Sequence, residues 1–402
     1  MTHAAKTIHI EQLRIQPGTR WSRLPLIAGA VGVLGVGASF ALRGSDPEQF
    51  AFSWLVAFLY FVSIGLGGLF FVLLHYATKA GWSVVVRRLA STAASVLPLL
   101  LVLALPVLLH IHELFPWSHA DVVAKDPLLQ GKVAWLNTSF FIARSFGYLA
   151  VWSLVAVLFR SASRRQDSSG SEATTRRLTF WSGPLIMVFA LTLTAASFDW
   201  IMSLDPHWYS TIFGVYYFSG SLVGIFAFLI LVAGSLDRQG ALGGAVTVEH
   251  FHDLGKLLFA FVVFWTYIGF SQFFLIWYGN MPEETVWYLH RLEGGWRTIT
   301  LTLAIGHFAV PFLFLMSRNV KRRRPLLAAG ALWMLALHYV DLYWLVMPNL
   351  HSHDVHPSLL DLTTFVGVGG LFMAAYAWLL GRSSLVPIGD PRLVESLTFE
   401  NS

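Results

Sequence analysis

The stretch FAFSWLVAFLYFVSIGLGGLFFVLLHY, residues 50–76, contains no Asp, Glu, Lys or Arg. About 20 mostly apolar residues are enough for a helix to cross the ~30 Å hydrocarbon core of a bilayer. Similar stretches recur along the chain, so the sequence predicts ten membrane-spanning helices. The predicted spans are 24–42, 50–76, 90–110, 137–160, 178–202, 211–234, 256–279, 296–317, 325–348 and 359–380.

The composition supports the same interpretation. Of 402 residues, 56% are hydrophobic and 12% are charged, and the mean hydropathy is +0.63. Only helices pair every backbone group inside lipid at this span length, so we predict an all-α polytopic membrane protein. The net charge of +5 does not indicate nucleic-acid binding, because the basic residues do not share one helix face.

The basic residues instead indicate orientation. An even number of spans places both termini on the same side of the membrane. That side carries 21 lysines and arginines, whereas the opposite side carries 6. The positive-inside rule therefore predicts that both termini lie in the cytoplasm.

A weak internal repeat indicates how the spans are grouped. The matched positions are Asp46-Pro47 with Asp205-Pro206, Tyr60-Phe61 with Tyr217-Phe218, and Gly67 with Gly224. The two repeats would be spans two to five and spans six to nine. The first span of each repeat crosses the membrane in the same direction, as a parallel duplication requires. The predicted units are an N-terminal segment 1–23, a flanking helix 24–42, a four-helix bundle 50–202, a second bundle 211–348, a flanking helix 359–380 and a tail 381–402. Within the first bundle, the polar Ser-rich segment 161–177 is predicted to be a flexible cytoplasmic linker.

The chain has no cysteine. It therefore cannot supply thiolates to Fe–S clusters, attach haem c or form disulfides. A redox centre served by this protein must be diffusible, belong to a partner, or be a haem with histidine ligands.

Ionisable residues inside spans are costly and usually functional. His338 and Asp341 are three residues apart in span nine, so they share a helix face. Span eight brings His307 to a similar depth, and span seven supplies Tyr267 and Gln272. This composition is typical of a proton relay. The structural alternative is that Asp341 and a histidine bind each other between helices.

A second pair is Arg144 in span four and Asp199 in span five. Both lie near the outer surface, on neighbouring antiparallel helices. A structural ion pair and the outer branch of a proton path both fit this position.

No metal site and no catalytic residue are predicted. The histidines near 110–112 and 351–356 lack convincing further ligands, and the bulky residues around His338 disfavour a haem between His307 and His338.

With ten predicted spans, two predicted four-helix bundles and no cysteine, the chain resembles the polysulfide-reductase-like (NrfD-like) membrane subunits. Two segments sharpen the resemblance: FDWIMSLDPHWYSTIFG, residues 198–214, and SQFFLIWYGNMPEETVWYLHR, residues 271–291. They are similar to stretches of the F subunit of alternative complex III, a bacterial quinol:electron-acceptor oxidoreductase. Asp199, Gln272 and Tyr278 lie in these segments.

This resemblance implies a place in a respiratory complex of the bacterial inner membrane. Electrons pass there from quinol through Fe–S clusters and haem c groups to cytochrome c, another carrier or a terminal oxidase. Those cofactors belong to partners: an Fe–S subunit, multihaem and monohaem cytochrome c subunits, and a sister NrfD-like subunit. No cofactor is expected on this chain, although quinol is a possible ligand.

Three functions stay open. The first is a non-catalytic subunit that conducts protons through Asp341, His338, His307, Asp199 and Arg144 and holds partners together. The second is a quinone-binding subunit that uses His338, Asp341 and Tyr278. The third is a stand-alone secondary transporter.

Overall fold

The computed structural model describes residues 13–401, which form helices and connecting turns without any strand. Within this described range, ten helices are long and apolar enough to cross a membrane, so the prediction of an all-α polytopic membrane protein is confirmed. We number these helices α1 to α10 in chain order. Their bounds are Arg20–Ser45, Pro47–Ala77, Val84–Leu109, Thr138–Ser169, Glu172–Leu204, Phe213–Arg238, Val248–Gly279, Trp296–Met316, Arg324–Asn349 and Leu359–Gly381.

The helices pack as two rings of four. In the first ring, α2 contacts α3, α3 contacts α4, α4 contacts α5, and α5 returns to α2. In the second ring, α6, α7, α8 and α9 follow each other in the same way, and α9 returns to α6. The helices α2 and α6 contact each other and are the most buried of the ten. In their most apolar 18-residue stretches, 94% and 83% of the residues are buried. A helix that is apolar on all sides belongs at such a centre.

The first and last helices pack against each other outside the rings. Glycines allow this approach: a Cβ atom at Gly35 would lie 2.6 Å from the Gly367 nitrogen, and one at Gly370 would lie 2.5 Å from Gly32 Cα. Small residues bring membrane helices together in this way because they remove the side chains that would separate the backbones.

The segment 161–177 is not a flexible linker, and that prediction is wrong. Helix α4 continues to Ser169, and α5 begins at Glu172, after a left-handed turn at Gly170 with φ 59°. The guanidinium of Arg88 donates to Asp167 Oδ1 at 2.9 Å and to the Ser163 carbonyl at 3.1 Å. These bonds to α3 hold the polar end of α4 in place, which its Ser-rich composition did not indicate.

One end of the bundle carries a group of ion pairs, and we call it the basic end. It holds the start of α1, the end of α2 and the tail after α10, where the Leu385 amide binds the Leu13 carbonyl at 2.8 Å. The pairs join Arg87 to Asp390, Arg88 to Asp167, Arg322 to Glu249, and Arg324 to Asp237. The tail is therefore fixed to the helices at this end.

Candidate functional site

Asp341 lies on α9, inside the second ring, and is 2% exposed. The Tyr216 hydroxyl on α6 donates to Oδ1 at 2.5 Å, and the Trp265 indole N–H on α7 donates to Oδ2 at 3.1 Å. Each carboxyl oxygen thus has one neutral donor. Among residues 13–401, no lysine or arginine forms an ion pair with Asp341.

His338 lies almost one turn before Asp341 on the same helix and is fully buried. Its Nε2 is 2.8 Å from the Ser63 hydroxyl on α2, and its ring packs 5.4 Å from the ring of Tyr60. A Cβ atom at Gly220 would lie 3.1 Å from His338 Cε1, and one at Gly224 would lie 3.3 Å from Cδ2. The two glycines of α6 therefore leave the space that the imidazole fills.

His307 lies in a π-helical segment, Leu303–Ala309, within α8. There the Val310 amide bonds to the Ile305 carbonyl, five residues earlier. Pro311 accounts for the widening: it has no N–H, and its ring crowds the carbonyl four residues earlier, which is that of His307. The His307 ring packs on the Trp265 ring with centroids 3.8 Å apart. Trp265 therefore contacts both His307 and Asp341.

The structure thus brings three predicted residues together in what we call the buried cluster. Its members are Ser63, Tyr216, Trp265, His307, His338 and Asp341. Both ring nitrogens of His307 and Nδ1 of His338 are buried and make no hydrogen bond to the described residues. Imidazole exchanges protons near neutral pH, and a carboxyl group without a cationic partner can do so in a low-dielectric site. The buried cluster therefore groups three side chains of the types that proton relays use.

Arg144 and Asp199 form a different kind of site. The guanidinium donates from Nε to Oδ2 and from Nη2 to Oδ1, both at 2.8 Å. Tyr148 and Trp135 add hydrogen bonds to the same carboxylate at 3.0 and 2.9 Å. The guanidinium also lies over the rings of Trp135 and Phe140. A bidentate, fully bonded pair of this kind fixes α4 against α5, so its geometry favours the structural alternative.

Three predicted residues lie away from the buried cluster. Gln272 donates to the Tyr288 hydroxyl at 2.9 Å and accepts from the Ser210 hydroxyl at 3.0 Å. The side chains of Tyr267 and Tyr278 are directed outward, with 63% and 77% of each residue exposed. Depth along a helix is visible in a sequence, but the face that a lone polar residue occupies is not.

A cavity of about 640 Å³ lies beside the buried cluster, among α6, α7, α8, α9 and the connecting helix Pro282–Leu292. Its walls are almost entirely apolar and include Tyr216, Trp265, Tyr267 and Tyr288. Tyr216 and Trp265 are the two donors to Asp341, so these rings line the cavity and also contact the carboxyl group.

A buried carboxyl group that the sequence analysis missed lies in the first turn of α10. Asp361 Oδ1 accepts from the Ser53 hydroxyl at 2.5 Å and from the Gln49 amide at 3.1 Å. The side-chain oxygen Oε1 of Gln49 is 2.7 Å from His351 Nε2. Burial lowers the pKa of His351, and the charge of nearby His356 lowers it further. The Ser358-x-x-Asp361 capping box was the available signal.

The partners in the buried cluster were also missed. Tyr216, Trp265 and Ser63 belong to apolar helices rich in such residues, and no spacing distinguishes them. Within the described range 13–401, no three His, Asp or Glu side chains are grouped as metal ligands. Comparison of the chain with protein-family models and with curated proteins finds no match in either.

Proposed function

We propose that this protein is an integral membrane subunit of a quinol-oxidising respiratory complex of the alternative complex III type, and that it conducts protons. The sequence support is the resemblance of segments 198–214 and 271–291, together with the absence of cysteine. The observation that carries the proton role is Asp341, a mid-span carboxyl group whose hydrogen bonds within residues 13–401 come from the neutral donors Tyr216 and Trp265. Ionisable groups inside a membrane are costly, and those in the middle of a span commonly mark a proton or ion pathway.

Proton transfer would run between the carboxyl group and the imidazoles. A proton that leaves the Asp341 carboxyl group binds a ring nitrogen of His338 or His307, and the return step restores the carboxyl group. The Ser63 hydroxyl at His338 Nε2 connects this exchange to α2. Because no cation among residues 13–401 pairs with Asp341, its charge can change without breaking an ion pair there.

The membrane, the orientation and the partners of the chain follow from the same proposal. The membrane would be the bacterial inner membrane, with the basic end and both termini in the cytoplasm. The partners would be a sister NrfD-like subunit, an Fe–S subunit and cytochrome c subunits, and this chain would also hold them in place.

The substitution Asp341→Asn tests the proton role. We expect normal assembly and nearly normal quinol oxidation, because the amide keeps the size and can still accept from Tyr216. The number of protons moved per electron should fall, because an amide does not exchange protons at physiological pH. The measurement is proton release by reconstituted vesicles during quinol oxidation. Asp361→Asn is the control, since it changes a buried carboxyl group outside the cluster; an unchanged proton stoichiometry in Asp341→Asn would refute the role.

The assignment to a complex is tested separately, by mild purification of a tagged chain. Co-purification with Fe–S and multihaem cytochrome subunits, with haem bands that quinol reduces, would support it. A solitary, colourless protein would favour the secondary transporter.

The cavity of about 640 Å³ favours a second function, quinone binding. Ligand sites are typically mostly apolar cavities of about 300–1,000 Å³ with a few polar groups. The Tyr216 hydroxyl could relay a quinol proton to Asp341. Labelling of α6 or α7 by an azidoquinone would support this function, and absence of label on the chain would count against it. Tyr278 does not line this cavity.

A further inference from the structure

A second cavity is lined by residues of α6 that do not line the cavity beside Trp265. It measures about 1060 Å³ and is lined by α1, α2, α6, α9 and α10. Its volume slightly exceeds the upper end of the usual range for small-molecule sites, about 1,000 Å³. It does not belong to the buried cluster, although Tyr60 forms part of its wall.

The inner part of this cavity is apolar. The side chains there are Phe61, Ile64, Phe228, Phe365, Val366 and Met373. The hydroxyl of Tyr60 does not add a free donor to the cavity, because it donates to the Leu335 carbonyl at 3.2 Å. Leu335 on α9 and Val366 and Met373 on α10 are partly exposed, and the cavity has an opening at the depth of the membrane spans. A chain of methylene groups can enter from the bilayer through that opening.

The mouth at the basic end is cationic. Arg20 begins α1 and Arg238 ends α6, and both arginines line the cavity. Trp21 lies between them and donates to the Ser235 hydroxyl at 3.1 Å. Tryptophan and arginine at a helix end are typical of headgroup depth. The apolar interior therefore begins just below the level at which phosphate groups of a bilayer lie.

The two arginines at the mouth differ in their partners from four other arginines of the basic end. Arg87, Arg88, Arg322 and Arg324 each bind a carboxylate at the same end. Neither Arg20 nor Arg238 makes an ion pair or a side-chain hydrogen bond within residues 13–401. The nearest carboxylate in sequence, Asp237, is engaged by Arg324. Among the described residues 13–401, the two positive charges of the mouth therefore have no counter-ion, and an anion can neutralise them.

We propose that this cavity binds one anionic phospholipid of the surrounding leaflet. Its phosphate would accept hydrogen bonds from Arg20 and Arg238, whose guanidinium groups suit phosphate oxygens. An acyl chain would fill the space between Phe61, Phe365 and Met373. A free phosphate ion would leave that apolar space unfilled, and a neutral lipid would leave the two charges without a counter-ion. The proposal does not depend on the respiratory assignment.

The test is native mass spectrometry of the full-length chain after incubation with phosphatidylglycerol or phosphatidylcholine. We expect one phosphatidylglycerol to be retained in preference to phosphatidylcholine. The double variant Arg20→Gln/Arg238→Gln should weaken that retention by about tenfold, because it removes both basic contacts. The matched control Arg318→Gln/Arg323→Gln removes two charges from exposed residues of the same end that do not line the cavity.

A second variant tests the apolar part without changing charge. Val366→Trp fills the interior, and it should also reduce retention of phosphatidylglycerol while the chain still elutes as a folded species. Equal loss in the control double variant would overturn the proposal, because binding would then reflect only the overall charge. Equal retention of the two lipids, displacement of lipid by inorganic phosphate alone, or a partner's helix found in the cavity would also overturn it.

Discussion

At the scale of single residues, Asp199 and Asp341 are both aspartates inside membrane-spanning helices, but their partners differ. Asp199 is bound by Arg144 through two hydrogen bonds of 2.8 Å, whereas Asp341 has only neutral donors. Removing one member of a buried ion pair leaves the other charge buried and unpaired. Substitution by asparagine should therefore lower stability at Asp199 but leave assembly intact at Asp341.

We expect Asp199→Asn to lower stability, because the charge of Arg144 loses its counter-ion. The expected cost is roughly 3–5 kcal/mol, as for other broken buried pairs. The double variant Arg144→Leu/Asp199→Leu should recover much of this loss, since it leaves no charge behind. The measurement is the thermal unfolding midpoint of the purified protein. Arg176→Gln serves as control because it breaks an exposed pair of little energetic value. An unfolding midpoint for Asp199→Asn equal to that of the wild type would contradict a structural role.

At the scale of elements, the π-helical segment of α8 determines the direction of His307. An α-helical α8 would need the residue at position 311 to donate to the His307 carbonyl, which proline cannot do. The extra residue in the π turn changes the face that each side chain occupies in that turn. Such segments recur at functional sites because they redirect one side chain without ending the helix.

The substitution Pro311→Ala restores an N–H group at that position. We expect the π segment to become α-helical and His307 to rotate away from Trp265, by about 100°, the turn of one residue in an α-helix. Proton stoichiometry should then fall as in Asp341→Asn, while the free energy of unfolding is kept or rises. Pro325→Ala is the control, because this proline lies in the first turn of α9, where the N–H is not needed. A structure of Pro311→Ala with His307 still against Trp265 would show that packing, not proline, sets the π segment.

These elements also show what the sequence could and could not predict. The ten spans follow from apolar length alone, and the contact of Arg144 with Asp199 agrees with the depth and antiparallel direction of their helices. The three-residue spacing of His338 and Asp341 predicts a shared face. The partners of Asp341 could not be predicted, because Tyr216 and Trp265 lie on other helices and depend on how α6, α7 and α9 rotate about their axes. The helical segment 161–177 was missed because its order depends on Arg88, a distant residue on α3.

At the scale of the whole molecule, the direction of the ten spans decides on which side of the membrane the lipid site and the ion pairs lie. The chain contains no cysteine, so a single introduced cysteine is the only thiol. Ser168 is exposed at the basic end, and Ser352 is exposed in the loop between α9 and α10 at the opposite end. These two positions therefore report on opposite sides of the bilayer.

We expect Ser168→Cys to be protected from a membrane-impermeant maleimide in intact spheroplasts and to be labelled once the membrane is permeabilised. Ser352→Cys should be labelled in both conditions. The reason is the excess of lysine and arginine at the basic end, where 21 of 27 lie on the predicted cytoplasmic side. The cysteine-free parent, which should remain unlabelled, is the control. The reverse labelling pattern would place the basic end outside and would contradict the predicted orientation.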